Sequence, residues 1–276
     1  MGDTAIYGVS SIVGRFLNWW LVPYHAGIFR PEEYGVVSNL YSYVAFAMIL
    51  LTYGLETGYF RFASKHPQPA TVFSTALISL LSTTTLFLLV MFFFRGEIAT
   101  AMQYGEHPSY VWWLALTVGL DAITAIPFAQ LRLQNRPIKF AFVKLVNIGL
   151  NIGFNLFFLS ICPLIIKHYP HSPVALIYNP SLGVGYVFLA NLLASLSTLL
   201  LLMPEILSIK PRFDRSLFRQ IMGYSFPILI IGLAGMVNQN IDKILIPFLI
   251  PTEKDPMFQL GIYGANYKLG VLMNMF

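Results

Sequence analysis

The run ATVFSTALISLLSTTTLFLLVMFFF, residues 70–94, contains no charged residue. It is longer than the roughly 20 apolar residues that a helix needs to cross the hydrocarbon core of a bilayer. Similar runs recur along the chain, the mean hydropathy is +0.68, and only 11% of the residues are charged. A soluble domain carries about 25% charged residues. The sequence therefore predicts an all-α polytopic membrane protein, because open strands leave backbone groups unsatisfied in lipid.

Seven complete spans and the start of an eighth are predicted, with short loops between them. Their approximate bounds are 5–24, 34–60, 70–94, 110–131, 140–166, 183–203, 221–250 and 260 onward. On the side of the membrane where the N-terminus lies, the loops and span ends contain ten Lys and Arg residues. Those on the other side contain four. Because Lys and Arg accumulate in cytoplasmic loops, we expect a cytoplasmic N-terminus.

An internal repeat is indicated by two stretches, LVPYHAGIFRPEEYGVVSNLYSY from Leu21 and LIPFLIPTEKDPMFQLGIYGANYK from Leu245. In each, an apolar-Pro-aromatic triplet closes a span, and a charged turn, a Gly and an aromatic-rich helix start follow. We therefore predict a first lobe of six helices over residues 1–204, a basic cytoplasmic linker over 205–219, and an incomplete second lobe over 220–276. The chain is expected to stop inside the second helix of that lobe.

The fifth span contains KLVNIGLNIGFN, residues 144–155, in which an asparagine recurs at every fourth position. At 100° per residue, Lys144, Asn147, Asn151 and Asn155 lie within a stripe about 80° wide that climbs roughly 16 Å. Gly149 and Gly153 lie on the opposite side and favour close contact with another helix. The asparagines either bond to neighbouring helices or line a hydrated path for a polar solute, and the cation at the start of the stripe favours the path.

Several charged residues lie inside the predicted spans, where a charge costs about 2.5–3.5 kcal/mol and usually faces a cavity or a partner. Arg15 has a guanidinium suited to phosphate, but a pair with Asp121 is the alternative. Glu56 is a candidate for a gate or an ion pair with Arg61, as well as for proton coupling. The seventh span contains Asn238, Asp242 and Lys243. They either form part of a translocation site or neutralise charges elsewhere in the bundle. Lys268 lies in the eighth span.

Chemistry on a substrate is not indicated. The five histidines fall in loops or at span ends, and His168 and His171 lack a carboxylate motif that would complete a metal site. No nucleotide-binding loop or nucleophile elbow is present. We therefore expect no enzyme activity, no cofactor, no metal and no nucleic-acid partner.

The chain resembles the polysaccharide-biosynthesis flippases of the multidrug/oligosaccharidyl-lipid/polysaccharide exporter superfamily. The similar stretches are SSIVGRFLNWWLVPYHAGIFRPEEYGVVSNLYSY, LLTYGLETGYFRFASK, LRLQNRPIKFA, YSFPILIIGLAGMVNQNIDKILI and LGIYGANYKLG. The resemblance implies a MATE-like architecture of two six-helix lobes around a central cavity. It also implies alternating access that moves an undecaprenyl-pyrophosphate-linked oligosaccharide across a bacterial cytoplasmic membrane.

Together with the residues singled out above, the resemblance gives each of them an expected role. Pyrophosphate is expected at the cations Arg15, Lys144, Lys243 and Lys268. Sugar hydroxyls are expected at Asn147, Asn151, Asn155 and Asn238, and gating or ion coupling at Glu56, Asp121 and Asp242. The expected partners are the lipid-linked oligosaccharide, membrane lipid and polysaccharide-assembly proteins. Two alternatives remain open, a cation-coupled multidrug exporter of the same fold and a non-transporting lobe that acts as a scaffold.

Overall fold

In a computed structural model, which describes residues 2–273, the chain is helical, with no strand among the described residues. The helices are α1 (Gly2–Ile28), α2 (Pro31–Thr52), α3 (Leu55–Ala63), α4 (Pro69–Phe93), α5 (Arg95–Ala101), α6 (Pro108–Leu133), α7 (Pro137–Leu156), α8 (Cys162–His168), α9 (Val174–Ile177), α10 (Gly185–Leu207), α11 (Arg215–Leu249) and α12 (Pro256–Met273). This confirms the predicted all-α class of a polytopic membrane protein.

Among the described residues, six segments are long and apolar enough to cross a membrane. They are Pro31–Ala63, Pro69–Phe93, Pro108–Leu133, Pro137–His168, Gly185–Leu207 and Arg215–Leu249. The first and eighth predicted spans are helical as well, as α1 and α12. They are not among the six, and both contain many small and polar residues.

The second predicted span is broken rather than continuous. Tyr53 and Gly54 have φ values of 35° and 70°, in the left-handed region, and they separate α2 from α3. Glycine is required at position 54 for a second reason, because a Cβ there would lie 2.8 Å from the Ser225 carbonyl oxygen of α11. The break places Glu56 in the first turn of α3.

Helix α7 lies between α1 and α10 and supplies the asparagine stripe to the interior. It continues through a π-helical turn, Phe157–Ile161, into α8. Pro163, two residues after the end of this turn, lacks a peptide N–H, which accounts for the altered hydrogen bonding. The predicted close contact at Gly149 and Gly153 is wrong, since nothing lies within 4 Å of a Cβ built at either position. The helix uses its other faces for packing.

The segment between α10 and α11 is shorter than the predicted linker and covers residues 208–214. Glu205 belongs to α10, and the residues from Arg215 onward belong to α11. Two buried hydroxyl groups hold this segment on α4, because the backbone N–H of Arg212 donates to Ser74 Oγ at 2.6 Å and that of Asp214 donates to Thr75 Oγ1 at 3.2 Å.

The two stretches matched in the predicted repeat meet where α2 crosses α12. A Cβ on Gly35 would collide with the backbone carbonyl of Met257, and a Cβ on Gly261 would collide with that of Pro31. Each glycine thus lies against the first turn of the other helix. The contact is reciprocal, and it sets α12 directly beside α2.

Candidate functional site

A cavity of about 350 Å³ lies among α2, α3, α6, α7 and α10, and we call it the charged chamber. Its lining consists of Met48, Glu56, Asp121, Thr124, Ala125, Phe128, Arg132, Phe140, Lys144, Asn147 and Thr198. The two carboxylates and two cations come from three helices, with Asp121 and Arg132 both on α6. The chamber therefore brings both signs of charge together in a largely apolar helical bundle.

One ion pair in the charged chamber joins Glu56 to Arg132. The predicted pairing of Glu56 with Arg61 is wrong, because the Arg61 guanidinium lies over the ring of Tyr224, 4.3 Å from its centroid. Arg132 reaches the chamber because α6 extends to Leu133. Its guanidinium also lies 5.1 Å from the ring centroid of Phe60.

Lys144 and Asp121 face the same chamber from α7 and α6. The Lys144 ammonium lies 4.4 Å from the centroid of the Phe128 ring. Asp121 has no ion-pair partner among the side chains that the structure describes. Asn147 donates from Nδ2 to Thr198 Oγ1 at 2.9 Å, which ties α7 to α10 at the end of the chamber.

A second cavity, of about 270 Å³, follows along α7, and we call it the amide chamber. Its lining is Leu21, Val22, His25, Val37, Tyr41, Asn147, Asn151, Asn155, Val187, Asn191 and Lys268. Four of these residues are asparagines and none is an acid. Asn147 lines both chambers, so the two cavities meet at this residue.

The amides of the second chamber are partly engaged with one another. His25 Nε2 lies 2.9 Å from Asn155 Oδ1, and Asn155 Nδ2 donates to Asn151 Oδ1 at 3.0 Å. Asn155 is only 1% exposed and bonds at both ends of its amide. Asn191 Nδ2 donates to the Tyr41 hydroxyl at 3.1 Å. Asn155 therefore links α7 to α1, whereas Asn147 and Asn151 are only part-buried.

The predicted cations are distributed unequally. Lys144 lines the charged chamber and Lys268 lines the amide chamber, but Lys243 lines neither. The Lys243 ammonium turns back on α11, where it donates to the Gln239 carbonyl at 2.6 Å and lies 3.7 Å from the centroid of the Tyr267 ring. This buried ammonium takes an acceptor of its own helix, and its predicted role in binding the substrate stays a prediction.

Two further predicted residues, Asn238 and Asp242, do not reach the chambers. Asn238 is exposed on α11 and lines neither of them, and its predicted contact with sugar stays a prediction. Asp242 accepts a hydrogen bond from the Tyr263 hydroxyl instead and also bonds the Lys243 N–H. The side chain of Arg15 lies outside the described part of the structure, and its role stays a prediction.

Several lining residues were missed by the sequence reasoning, namely His25, Tyr41, Arg132, Asn191 and Thr198. Arg132 was counted as a loop charge and His25 as a span-end residue. The asparagine stripe offered an indirect signal, since a polar face must meet polar partners on adjoining helices. The stripe did not show which helices pack against α7.

The two chambers thus follow one another along α7, and most of the residues that form them lie in a part of the sequence that matches one known family. The family model described as polysaccharide biosynthesis protein matches residues 26–273. The chain belongs to this family. Neither the curated proteins nor the solved structures include a significant match to it.

Membership of the polysaccharide biosynthesis protein family confirms the resemblance drawn from the sequence. It supports a role in polysaccharide biosynthesis or export. With its apolar helices, this member of the family is a multi-pass membrane protein. The matched residues include all of the amide chamber except Leu21, Val22 and His25, and all of the charged chamber.

Proposed function

We propose that this protein is a flippase that moves a lipid-linked oligosaccharide across the bacterial cytoplasmic membrane for polysaccharide export. The carrier lipid is undecaprenyl pyrophosphate, and the mechanism is alternating access. The observation that carries the proposal is the meeting of the charged and amide chambers at Asn147. A pyrophosphate and a chain of sugar hydroxyls need those two environments in succession.

The charged chamber fits the pyrophosphate. Arg132 offers a planar fork of donors that matches phosphate oxygens, and Lys144 adds a second cation on the facing helix. Glu56 holds Arg132 until the anion arrives and competes for it. Glu56 and Asp121 are then the groups that take up a proton or cation when the cargo leaves. Asp242, held by Tyr263, is the corresponding candidate for gating on α11.

The amide chamber fits the saccharide. Each asparagine amide presents donors and an acceptor, which is the pattern that vicinal sugar hydroxyls require. Asn147 and Asn151 face this space, with Asn191 opposite on α10. Lys268 adds one cation from α12. The polyprenyl chain is expected to remain in the surrounding lipid, because neither chamber is predominantly apolar in its side chains.

The test compares two asparagine variants in the same transport assay. The protein, extracted from its own membrane and reconstituted into liposomes, is supplied with fluorescent undecaprenyl-pyrophosphate oligosaccharide, and transfer is followed by quenching from outside. Asn147→Leu is expected to slow transfer about tenfold or more, the cost of losing a hydrogen bond to buried polar groups. The matched control is Asn238→Leu, which lies outside both chambers and is expected to stay within about twofold of the unmodified protein. Equal rates for Asn147→Leu and the unmodified protein would remove the path from the mechanism.

A second candidate is a cation-coupled exporter of organic cations. The observation that favours it is the presence of Glu56, Asp121, Phe128 and Phe140 in one chamber, since carboxylates and aromatic faces attract organic cations. Arg132 and Lys144 in the same chamber oppose it. Resistance to cationic dyes that rises with expression and disappears in Asp121→Asn would establish this activity.

A further inference from the structure

A buried hydrogen bond joins α2 to α11 at a point where α11 lacks one of its own. Pro247 lies inside α11 and has no peptide N–H. In an α-helix, the N–H of residue 247 would donate to the carbonyl of residue 243. The carbonyl of Lys243 is therefore left without its helical donor. In the structure, Asn39 Nδ2 of α2 donates to this oxygen at 2.6 Å.

The orientation of the Asn39 amide is fixed from the other side. Its Oδ1 accepts from the Tyr104 hydroxyl at 2.8 Å, in the turn between α5 and α6. Burial raises the pKa of Tyr104, so its hydroxyl stays protonated and donates. Because the Lys243 carbonyl only accepts, the amide nitrogen of Asn39 must face it. Asn39 is 1% exposed, and water does not compete for these bonds.

The arrangement is specific to this proline. The other prolines inside helices are Pro23, Pro127, Pro204 and Pro227. Among the hydrogen bonds of the described residues, no side chain donates to the carbonyls that these four prolines leave free. Pro23 is the counterpart of Pro247 in the internal repeat, so the feature occurs in one copy only.

We propose that Asn39 is a positioning residue that supplies the donor which Pro247 lacks, and so fixes the end of α11 against α2. The turn after α11 leads directly into α12, which carries Lys268 to the amide chamber. Asn39 thereby sets the position of the wall that α12 contributes. This last consequence rests on the proposed transport function, whereas the role of Asn39 at the Lys243 carbonyl does not.

The proposal makes a reciprocal prediction for two substitutions. Asn39→Leu keeps the side-chain volume but leaves the Lys243 carbonyl without a donor. Pro247→Ala restores a peptide N–H at the position from which an α-helix supplies that donor. The effect of Asn39→Leu should therefore be large in the unmodified background and small in the Pro247→Ala background. A residue that only filled space would cost the same in both.

The measurement is hydrogen–deuterium exchange of the amides of residues 244–246 and 248–250, which are present in both backgrounds, in the purified protein without cargo. Asn39→Leu is expected to raise their exchange rates about tenfold, because an unsatisfied buried acceptor destabilises the closed helix end. Asn39→Leu/Pro247→Ala is expected to return within about twofold of Pro247→Ala alone. Tyr104→Phe, which removes only the second bond of the amide, is expected to give a smaller increase.

Unchanged exchange in Asn39→Leu, or an equal increase in both backgrounds, would overturn the proposal. If Asn39→Leu alone does not yield folded protein, recovery of folded protein by Pro247→Ala supports the proposal, and failure of the double variant contradicts it. Since no cargo takes part, these outcomes are independent of the flippase assay. A negative exchange result would leave the flippase proposal standing, and a failed transport assay would leave Asn39 in its assigned role.

Discussion

The asparagines on α7 differ in how many of their side-chain hydrogen-bonding groups remain free to bind a ligand. Asn155 is bonded to His25 on one side and to Asn151 on the other, and it is almost fully buried. Asn147 and Asn151 are only part-buried and line the amide chamber. An amide whose groups are all engaged cannot bind a sugar hydroxyl without breaking bonds that hold two helices together. We therefore expect Asn155 to support the site, and Asn147 and Asn151 to be the amides that contact the proposed cargo.

Substitutions of Lys144 and Lys243 distinguish a lysine expected to bind cargo from one that packs within the helical bundle. Lys144→Met is expected to raise the KM for pyrophosphate-linked cargo about tenfold, because it removes a cation from the charged chamber. Lys243→Met is expected to leave KM within about twofold, since its ammonium bonds α11 and contacts Tyr267. The liposome assay over a range of cargo concentrations measures both. An unchanged KM in Lys144→Met would contradict pyrophosphate binding there.

The pair between Glu56 and Arg132 offers a charge-reversal test. Glu56→Gln and Arg132→Gln are each expected to slow transfer about tenfold, because either change leaves a charge in the chamber without its partner. Glu56→Arg/Arg132→Glu is expected to recover most of the rate, since the attraction does not depend on which helix carries which sign. Arg61→Gln is the control, because Arg61 stacks on Tyr224 instead. A double variant no better than the single variants would count against a paired role.

Helical periodicity was enough to predict the asparagine stripe. Its angles follow from the sequence alone, and Asn147, Asn151 and Asn155 do line one chamber. The same reasoning did not predict the acceptor of the Lys243 ammonium, because the acceptor of a long side chain depends on the folded surroundings. It also missed Arg132, whose partner Glu56 is carried inward by a break in the second span.

Among the elements, α2 and α12 make the closest backbone contact described above. The obstacles facing Gly35 and Gly261 are backbone carbonyls rather than flexible side chains. A larger residue at either position must push the helices apart, since a carbonyl fixed in the first turn of a helix cannot swing away. The crossing thus fixes the position of α12, and Lys268 lies farther along that helix.

Gly261→Ala is therefore expected to lower the free energy of unfolding by about 1–3 kcal/mol, the usual cost of overpacking a tight contact. The matched control is Gly149→Ala, where nothing lies within 4 Å of the added Cβ. There the better helix propensity of alanine is expected to stabilise the protein by up to about 1 kcal/mol. Thermal unfolding in detergent measures both, and a neutral Gly261→Ala would show that the crossing is loose.

A second connection between elements lies at the ends of α7 and α10. Glu205 is 6% exposed and accepts from the Lys139 ammonium at 2.5 Å, with Arg136 at 3.5 Å. Glu205→Ala is expected to destabilise the protein by roughly 2 kcal/mol, since both cations lose an acceptor but remain near water. Thermal unfolding tests this, with exposed Glu97→Ala as the control. Equal unfolding temperatures for the two variants would contradict the connection.

Element boundaries were predictable where hydropathy alone sets them. The chargeless run over residues 70–94 appears as α4, Pro69–Phe93. The break at Tyr53 and Gly54 was not predictable, because its positive φ values are held by contact with α11. The exposed GxxxG of α7 failed as a contact prediction for a related reason. A small-residue face permits close approach, but the packing of α1 and α10 decides which face is used.

At the scale of the whole molecule, the two ends of the helical bundle differ in charge. One end, which we call the basic end, carries the cations Arg61, Lys65, Arg136, Lys139, Lys210, Arg212, Arg215 and Arg219. In the described part of the chain, the opposite end carries the cations Arg30, Arg95, Lys167 and Lys254, together with the acids Glu32, Glu33, Glu97, Glu106, Glu253 and Asp255. Arg132 and Lys144 were among the ten basic residues assigned to the basic end from the sequence, but both line the charged chamber. The difference in charge between the two ends remains when they are left out.

This asymmetry predicts that the basic end is cytoplasmic, because basic loops resist translocation. The charged chamber, which lies toward that end, would then load pyrophosphate from the side where lipid-linked precursors are made. Cys162 is the sole cysteine and is buried, so a Cys162→Ala background permits single-cysteine labelling. In intact cells, a membrane-impermeant maleimide is expected to label Lys254→Cys. Lys210→Cys and its control Lys65→Cys are expected to react only after permeabilisation. The reverse pattern would place the charged chamber toward the outside, and it would contradict both the orientation and the proposed direction of transport.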